Sequence, residues 1–430
     1  MGRFFKTKSK WIKLDNAAKI YPAAMSRSWA SIFRLSATLT ENVDPDILNR
    51  ALKITLKRFP SFGYRLRSGF FWNFLEQITA DPVVQKDVSN PCLRMRLNEN
   101  GGYMFRVRYF GRRIAVEIFH VLTDGTGGLI FLKTLVAEYL TLKYGVEIPR
   151  DNEIFDVSSP PDPLELEDSF LRYSRKATAS RVEDASYKIT GTPERTNTIN
   201  IITGQIPVDV LRKVSKKYNC SITEFLTALL ILSVRQIQQK EINLRKRNRP
   251  IKVSIPINLR KFYPTKTLRN FSSFINPGIQ PIYGEYSLEE TISAVKHFLG
   301  LEGTEKMLNA RMSANVVSEQ NIFIRLAPLF IKNSVLKIAY RSIGDRTSST
   351  TLSNMGNQML PSPMNKYVTR MDFVLGVPKY NSVSCGCISY NNNLCLTFSR
   401  NIVEAELERI FFRKLVNLDI PVEVESNRRY

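Results

Sequence analysis

Residues 120–125 read His-Val-Leu-Thr-Asp-Gly, and they lie between a strand pattern and a helix pattern. Upstream, apolar and polar residues alternate through 103–119 on both sides of Gly111, which predicts a β-hairpin. Downstream, residues 129–144 carry apolar side chains at helical spacing and stop at a glycine, which predicts a helix. We therefore expect the histidine at the end of a strand, before a glycine-rich turn that leads into a helix.

His120 is one of only two histidines in 430 residues. Imidazole is the side chain best suited to accept and return a proton at neutral pH, so we interpret His120 as a general base. A buried histidine that is merely hydrogen-bonded at a strand end is the structural alternative. Asp124, four residues on, could orient the imidazole, or it could turn away and hold the loop through a cation elsewhere. The spacing permits both geometries.

The composition is that of a globular protein with an unusual charge. A length of 430 residues predicts two domains of roughly 200 residues each, and the net charge is +23. Such a charge favours nucleic acid, an anionic membrane surface, a phosphorylated cofactor or an acidic carrier protein as partner, although a basic host proteome would explain it equally. Aromatic and basic residues are not interleaved as in RNA-binding signatures, so we expect no nucleic acid partner.

The cysteines and the amino terminus exclude further classes of protein. Five cysteines at irregular spacing form no Cys/His ligand pattern, which argues against a metal site or a disulfide framework and fits a reducing cytosol. The basic amino terminus is followed by no apolar signal region, and no uncharged stretch is long enough to span a bilayer. We expect a cytoplasmic monomer that at most touches an anionic membrane from outside. The apolar and basic segment 326–341 predicts a helix packed on the core with its lysines reaching solvent, and a helix lying on anionic lipid is the alternative.

The order of patterns predicts a mixed α/β protein of two parts. Strand and helix patterns fill residues 1–150, which end with the histidine motif and its helix. They include a strand predicted over 29–39 and a helix that begins at Asp44-Pro45 and runs to about residue 58. Residues 151–197 begin with Pro160-Pro161-Asp162-Pro163 and continue as a mixed-charge stretch, typical of a crossover linker. Residues 198–430 resume the alternation, with a capping box of Ser221 and Glu224 before an apolar helix over 225–238. They close with a strand pair around three asparagines and a final helix.

With these features together, the chain resembles the chloramphenicol acetyltransferase superfamily. This superfamily includes CoA-dependent alcohol acyltransferases, condensation domains of nonribosomal peptide synthesis, wax-ester synthases and plant BAHD acyltransferases, and the nearest likeness is to stand-alone bacterial alcohol O-acetyltransferase-type proteins. Besides the H-x-x-x-D-G motif, three stretches carry the resemblance. They are Ser-Ile-Pro-Ile-Asn-Leu-Arg at 254–260 followed by Leu-Arg-Asn-Phe at 268–271, Leu-Ser-Asn-Met-Gly at 352–356, and Asp-Phe-Val-Leu-Gly-Val-Pro at 372–378.

The resemblance implies two lobes, each a mixed sheet flanked by helices, with an active-site channel between them. It implies that His120 lies in that channel, that Gly125 supports the motif loop, and that Arg260 pairs with Asp124. Asp372 would be structural and not a second base. Candidates for the oxyanion donor, by polarity and position only, are Asn270, Ser353 and Asn354.

The implied activity is acyl transfer from acyl-CoA, as co-substrate, to an alcohol or amine. It needs no metal, no bound cofactor and no covalent intermediate. Phe119 stands where condensation domains and wax-ester synthases usually carry a second histidine, which lowers the odds of peptide formation. Two alternatives stay open, namely an acyl-carrier protein as donor and a catalytically inactive binding protein on the same fold. The sequence does not specify the acyl length or the acceptor.

Overall fold

The computed structural model describes residues 11–25, 31–96, 99–151, 153–179, 183–195, 198–320, 322–339, 345–377 and 381–428. Three predicted segments extend beyond these ranges: the first residues of a strand predicted over 29–39, the last two of the segment 326–341, and Pro378 of the 372–378 stretch. The predicted mixed α/β class is confirmed.

The strands are β1 Trp11–Lys13, β2 Ile32–Leu39, β3 Tyr64–Ser68, β4 Asn73–Gln77, β5 Gln85–Lys86, β6 Phe105–Phe110, β7 Arg113–Phe119, β8 Asn200–Pro207, β9 Ile251–Asn258, β10 Ser272–Ile275, β11 Gly278–Ile279, β12 Thr350–Gln358, β13 Val368–Leu375, β14 Val383–Tyr390, β15 Asn393–Arg400 and β16 Glu423–Ser426. The helices are α1 Ile20–Ala24, α2 Pro45–Arg58, α3 Gly125–Tyr144, α4 Ser169–Tyr173, α5 Val208–Lys217, α6 Ile222–Gln238, α7 Leu244–Arg247, α8 Leu288–Glu302, α9 Glu305–Gln320, α10 Ile322–Leu326, α11 Leu329–Ala339, α12 Ser362–Asn365 and α13 Glu406–Val416.

The first lobe is built on a five-stranded sheet in the order β13-β2-β7-β6-β5. Its centre is the predicted hairpin of β6 and β7, which turns at Gly111 with a φ of +52°. The helices α2 and α3 pack together beside this sheet, and their apolar residues share one buried core with it. The helix α3 ends as predicted, because Gly145 adopts the left-handed conformation that ends helices.

The second lobe is built on an eight-stranded mixed sheet, in which β10-β9-β12-β14-β15-β8-β16 are neighbours and β11 pairs with β9. The strand β12 runs parallel to both β9 and β14, whereas β14 and β15 form the predicted closing hairpin. At its turn, Asn391 and Asn392 have positive φ, as expected for asparagine. The apolar helix α6, with the predicted capping box of Ser221 and Glu224, lies in a second core.

One strand crosses between the lobes. The strand β13 lies within residues 198–430, yet it pairs with β2 at the edge of the first sheet. The division at residues 150 and 197 therefore does not follow the sheets at this point. Within β13, Phe373 packs closely on Gly386 of β14, which joins the two sheets face to face. Asp372 forms an ion pair with Arg370, a contact that holds the strand and reaches no site residue.

The remaining predictions concern smaller features. The five cysteines are free thiols, and Cys385, Cys387 and Cys395 are buried among apolar residues as predicted. Residues of the 151–197 segment pack on the second lobe, with Phe170 and Tyr187 in its core. No single helix of the described ranges is long and apolar enough to cross a membrane, and α5 with α6 meets that criterion only as a pair bent by 79°.

Candidate active site

His120 follows the last residue of β7, so the end of a central strand positions its ring. Its backbone N–H donates to the carbonyl of Ser31, which continues the pairing with the neighbouring chain segment. The imidazole stacks on Tyr21 of α1 at a centroid distance of 5.1 Å, and it lies 4.7 Å from the ring of Phe33. Two aromatic rings therefore restrict the imidazole and exclude water from one side of it.

Asn270 of the second lobe fixes the other side of the ring. Its Oδ1 lies 3.4 Å from Nδ1 of His120, and its Nδ2 donates to the carbonyl oxygen of His120 at 2.9 Å. An amide oxygen only accepts hydrogen bonds, so Nδ1 carries the proton in the neutral ring and Nε2 keeps the free lone pair. The Nε2 atom is therefore the one available to take a proton from a substrate.

A buried ion pair lies behind Asn270. The Nδ2 of Asn270 also donates to Asp15 at 3.2 Å, and Asp15 lies 3.4 Å from Nε of Arg269. Burial raises the pKa of Asp15, and Arg269 opposes that rise. Both hydrogens of the Asn270 amide are thus engaged. An oxyanion role for Asn270 does not fit these contacts, and the residue instead positions His120.

Asp124 adopts the second of the two geometries that the spacing permitted. Its Oδ1 accepts from the backbone N–H groups of Thr126 and Gly127, both at 3.2 Å, and so caps α3. Its Oδ2 accepts from Arg260 at 2.8 Å and from the N–H of Phe271 at 2.9 Å. Among the described contacts none joins the carboxylate to the imidazole by a hydrogen bond. Asp124 therefore fastens the motif loop to the second lobe.

Burial also sets the protonation of His120. It lowers the pKa of the imidazole below its usual value, while the charge of Asp124 and the hydrogen bonds to Asn270 and to the backbone of Thr123 oppose this change. The neutral ring is consequently the form present at neutral pH. A neutral imidazole with a free nitrogen is the form that a general base requires.

The other two oxyanion candidates lie on β12, near the motif loop. Asn354 donates to the hydroxyl of Thr223 at 3.0 Å and accepts from Gly356, so its amide is occupied by local structure. Ser353 is half-buried. Two residues along β12 from Ser353, the sulfur of Met355 lies only 2.9 Å from where a Cβ on Gly125 would be. This strand therefore runs close to the motif glycine.

Gly127 is required by the fit of this loop against the second lobe. A Cβ there would lie 2.2 Å from Oγ1 of Thr123 and 2.3 Å from the carbonyl oxygen of Leu268. We expect Gly127→Ala to lower the free energy of unfolding by about 3 kcal/mol, measured by denaturant titration. Gly300 in α8 is the control, since a Cβ there meets nothing within 4 Å, and its alanine variant should gain about 0.5–1 kcal/mol. Equal stabilities of the two variants would contradict this account of the loop.

The described residues contain no group of three or more histidine, cysteine or carboxylate side chains that could hold a metal ion. His297, the other histidine, lies on α8 with its Nδ1 3.3 Å from the hydroxyl of Ser293. The basic segment around α7 is exposed and capped by Asn243, away from His120. Neither feature contributes to the site.

Residues 167–395, more than half of the chain, match the model of the alcohol acetyltransferase family. The chain belongs to this family. The protein is therefore an acyltransferase, and the likeness to alcohol O-acetyltransferase-type proteins is confirmed. The matched residues include Arg260, Asn270 and β12, whereas the motif at 120–125 lies upstream of them.

Solved structures extend the likeness over both lobes. The chain is similar to F. graminearum TRI101 complexed with coenzyme A and T-2 mycotoxin, at 10% identity and a TM-score of 0.66 over 98% of this chain and all of that one. It is similar to polyketide synthase associated protein 5 from Mycobacterium tuberculosis, at 15% identity and a TM-score of 0.62 over 94% of this chain and 96% of that one. It is also similar to the first condensation domain of the CDA synthetase, at 14% identity and a TM-score of 0.62 over 96% of this chain and 97% of that one.

These likenesses establish the two-lobed fold. No curated protein sequence matches the chain. At such low identity the substrates of the related structures are not transferred to this protein by similarity alone.

Proposed function

We propose that the protein transfers an acyl group from acyl-CoA to an alcohol, with Nε2 of His120 as the general base. The observation that carries this proposal is the pairing of Nδ1 of His120 with Oδ1 of Asn270, which leaves Nε2 free. The two rings of Tyr21 and Phe33 hold the imidazole in that orientation.

In the proposed reaction, Nε2 takes the hydroxyl proton of the acceptor as its oxygen attacks the thioester carbonyl carbon. A tetrahedral oxyanion forms and collapses, which breaks the carbon–sulfur bond. The leaving thiolate takes the proton back from the imidazolium, so the products are an ester and free CoA. His120 ends each turnover neutral. No bond forms between the acyl group and the enzyme.

Ser353 is the proposed oxyanion donor. Among the three candidates, it is the one whose side-chain group is not assigned above to another contact, and β12 carries it beside the motif loop. A donor that hydrogen-bonds the developing negative charge lowers the activation free energy by about 3 kcal/mol in comparable sites. Loss of kcat without a change in fold in Ser353→Ala would support this role.

CoA is proposed as the donor because structural relatives are complexed with it and because the net charge of +23 suits its phosphates. An acidic acyl-carrier protein would suit the same charge and is the alternative donor. Polyketide synthase associated protein 5 and the condensation domain share the fold. These two likenesses are the reason why a carrier-protein donor is the alternative.

Thiol release from acetyl-CoA and from longer acyl-CoAs, with a panel of alcohols and amines, tests the proposal. We expect release that depends on the acceptor and an ester product that mass spectrometry detects. Release without acceptor dependence, or no release from any CoA ester, would refute the CoA-dependent reaction. Release from an acylated carrier protein alone would assign the alternative donor.

The pH dependence follows from the lowered pKa of His120. A base must be unprotonated, and a lowered pKa keeps the imidazole neutral to a lower pH, so kcat/KM should be constant at neutral pH and above. It should fall only below about pH 6.5, by about tenfold per unit once the ring is mostly protonated. An acidic limb with an apparent pKa above 7 would contradict this assignment.

A further inference from the structure

The helix α11 presents apolar side chains to solvent instead of to the core. Phe330, Ile331, Val335 and Ile338 are all exposed, Phe330 to 69% and Ile338 to 67%. At 100° per residue they occupy less than half of the helix circumference. A surface helix of a globular protein normally turns such a face inward. Sequence patterning alone favoured a helix packed on the core, and the structure shows the reverse.

The turn between β3 and β4 continues this surface. Phe70, Phe71 and Trp72 are exposed there, Phe70 to 71%. The N–H of Leu329 donates to the carbonyl of Phe70 at 2.9 Å, which fastens the start of α11 to the turn.

Lys332 makes the two parts one unit. Its ammonium donates to the carbonyl of Phe71 at 3.0 Å and lies 3.4 Å from the centre of the Trp72 ring, a cation–π contact. The apolar face is defined here as these exposed residues: Phe70, Phe71, Trp72, Leu326, Phe330, Ile331, Val335 and Ile338.

The exposed charge on α11 is positive. Residues 329–339 contain Lys332 and Lys337 and no aspartate or glutamate. Lys332 is buried against the turn, and Arg67 beside the turn is paired with Glu76, so Lys337 is the exposed cation of the helix. Lys337 is exposed beside Ile338. An apolar helix face edged by lysine is the arrangement that inserts shallowly into a bilayer with anionic headgroups.

We propose that the apolar face binds the surface of an anionic lipid bilayer. The face projects outward on a helix and a turn. Lys337, together with the net charge of +23, complements acidic headgroups as the exposed rings enter the acyl boundary. The apolar face is also close to the proposed catalytic histidine. The helix α11 packs on α1, and Tyr21 of α1 stacks on His120. Binding at this face places the site beside the source of a lipid-soluble acceptor or acyl chain. The binding itself does not depend on the proposed reaction.

Co-sedimentation with vesicles tests the proposal directly. We expect the wild-type protein to bind phosphatidylcholine vesicles that contain about one third phosphatidylglycerol, and to bind pure phosphatidylcholine less well. Ile338→Glu should weaken binding at least about tenfold, since the variant loses an isoleucine side chain that would insert into the bilayer. Lys337→Glu should weaken it about fivefold or more at low salt and less at high salt.

Ile242→Glu is the matched control, because Ile242 is 98% exposed beside the basic residues of α7 and away from the apolar face. Vesicle binding should be unchanged in this variant. Circular dichroism and thiol release with a water-soluble alcohol should be unchanged in all three variants. If Ile242→Glu loses binding and Ile338→Glu keeps it, the α7 segment is the lipid site and the proposal is wrong. A lipid-independent dimer that Ile338→Glu dissociates, without vesicle binding, would also overturn it.

Discussion

His120→Ala is expected to lower kcat by about 10²–10⁴-fold with little change in the KM for acyl-CoA. The imidazole is the proposed route for the acceptor proton, and water has little room on the side of the ring covered by Tyr21 and Phe33. The variant should keep its fold, because the half-buried ring loses only its hydrogen bonds to the side chain of Asn270 and to the backbone of Thr123. Single-turnover thiol release, compared with the wild type at saturating acceptor, measures this effect.

His297→Ala is the matched control for that experiment. His297 is the second of the two histidines and lies on α8 with only a serine hydroxyl as hydrogen-bond partner. Its loss should leave kcat and KM unchanged. If both variants turn over like the wild type, the histidine is vestigial for catalysis and the binding-protein alternative gains support.

Asp124→Ala is expected to lower the free energy of unfolding by about 3–5 kcal/mol and to reduce kcat. The substitution leaves Arg260 without its carboxylate and removes the acceptor for the N–H of Phe271. Both partners belong to the second lobe, so the motif loop loses its attachment across the lobe boundary. Denaturant unfolding and thiol release, on the same preparation, measure the two effects.

Asp44→Ala separates helix capping from the ion pair. Asp44 caps α2 through the N–H groups of Asp46 and Ile47, as Asp124 caps α3, but it has no arginine partner among the described contacts. Asp44→Ala should lower the free energy of unfolding by about 1 kcal/mol and leave kcat unchanged. Equal stability losses in the two variants would show that the ion pair with Arg260 contributes nothing beyond the cap.

Local patterns predicted much of the fold. The hairpin of β6 and β7, the helix α2 after Asp44-Pro45, and the capping box of α6 were all predicted from alternation, helical spacing and end signals. These features depend on contacts between residues close in sequence, which a pattern can report. The pairing of β13 with β2 joins residues more than three hundred positions apart. No local pattern contains that information.

The candidate site also combines residues that the sequence predicted with residues that it did not. The position of His120 at a strand end follows from the sequence around it, and the pairing of Arg260 with Asp124 was implied by the family resemblance. Asp15 and Arg269 behind Asn270 were missed. Asp15 and Arg269 belong to no motif whose spacing would predict their contact, because they lie far apart in the sequence and only folding brings them together.

The sequence by itself determined the mixed α/β class, the family and the residue proposed to move the proton. Each of these depends on composition, periodicity or a short motif. The tertiary structure decided that Asn270 lies against the imidazole, that Asp124 caps α3 and pairs with Arg260, and that α11 turns its apolar face outward. Those outcomes depend on which distant side chains meet, and burial and hydrogen bonding across the lobe boundary select them only in the folded chain.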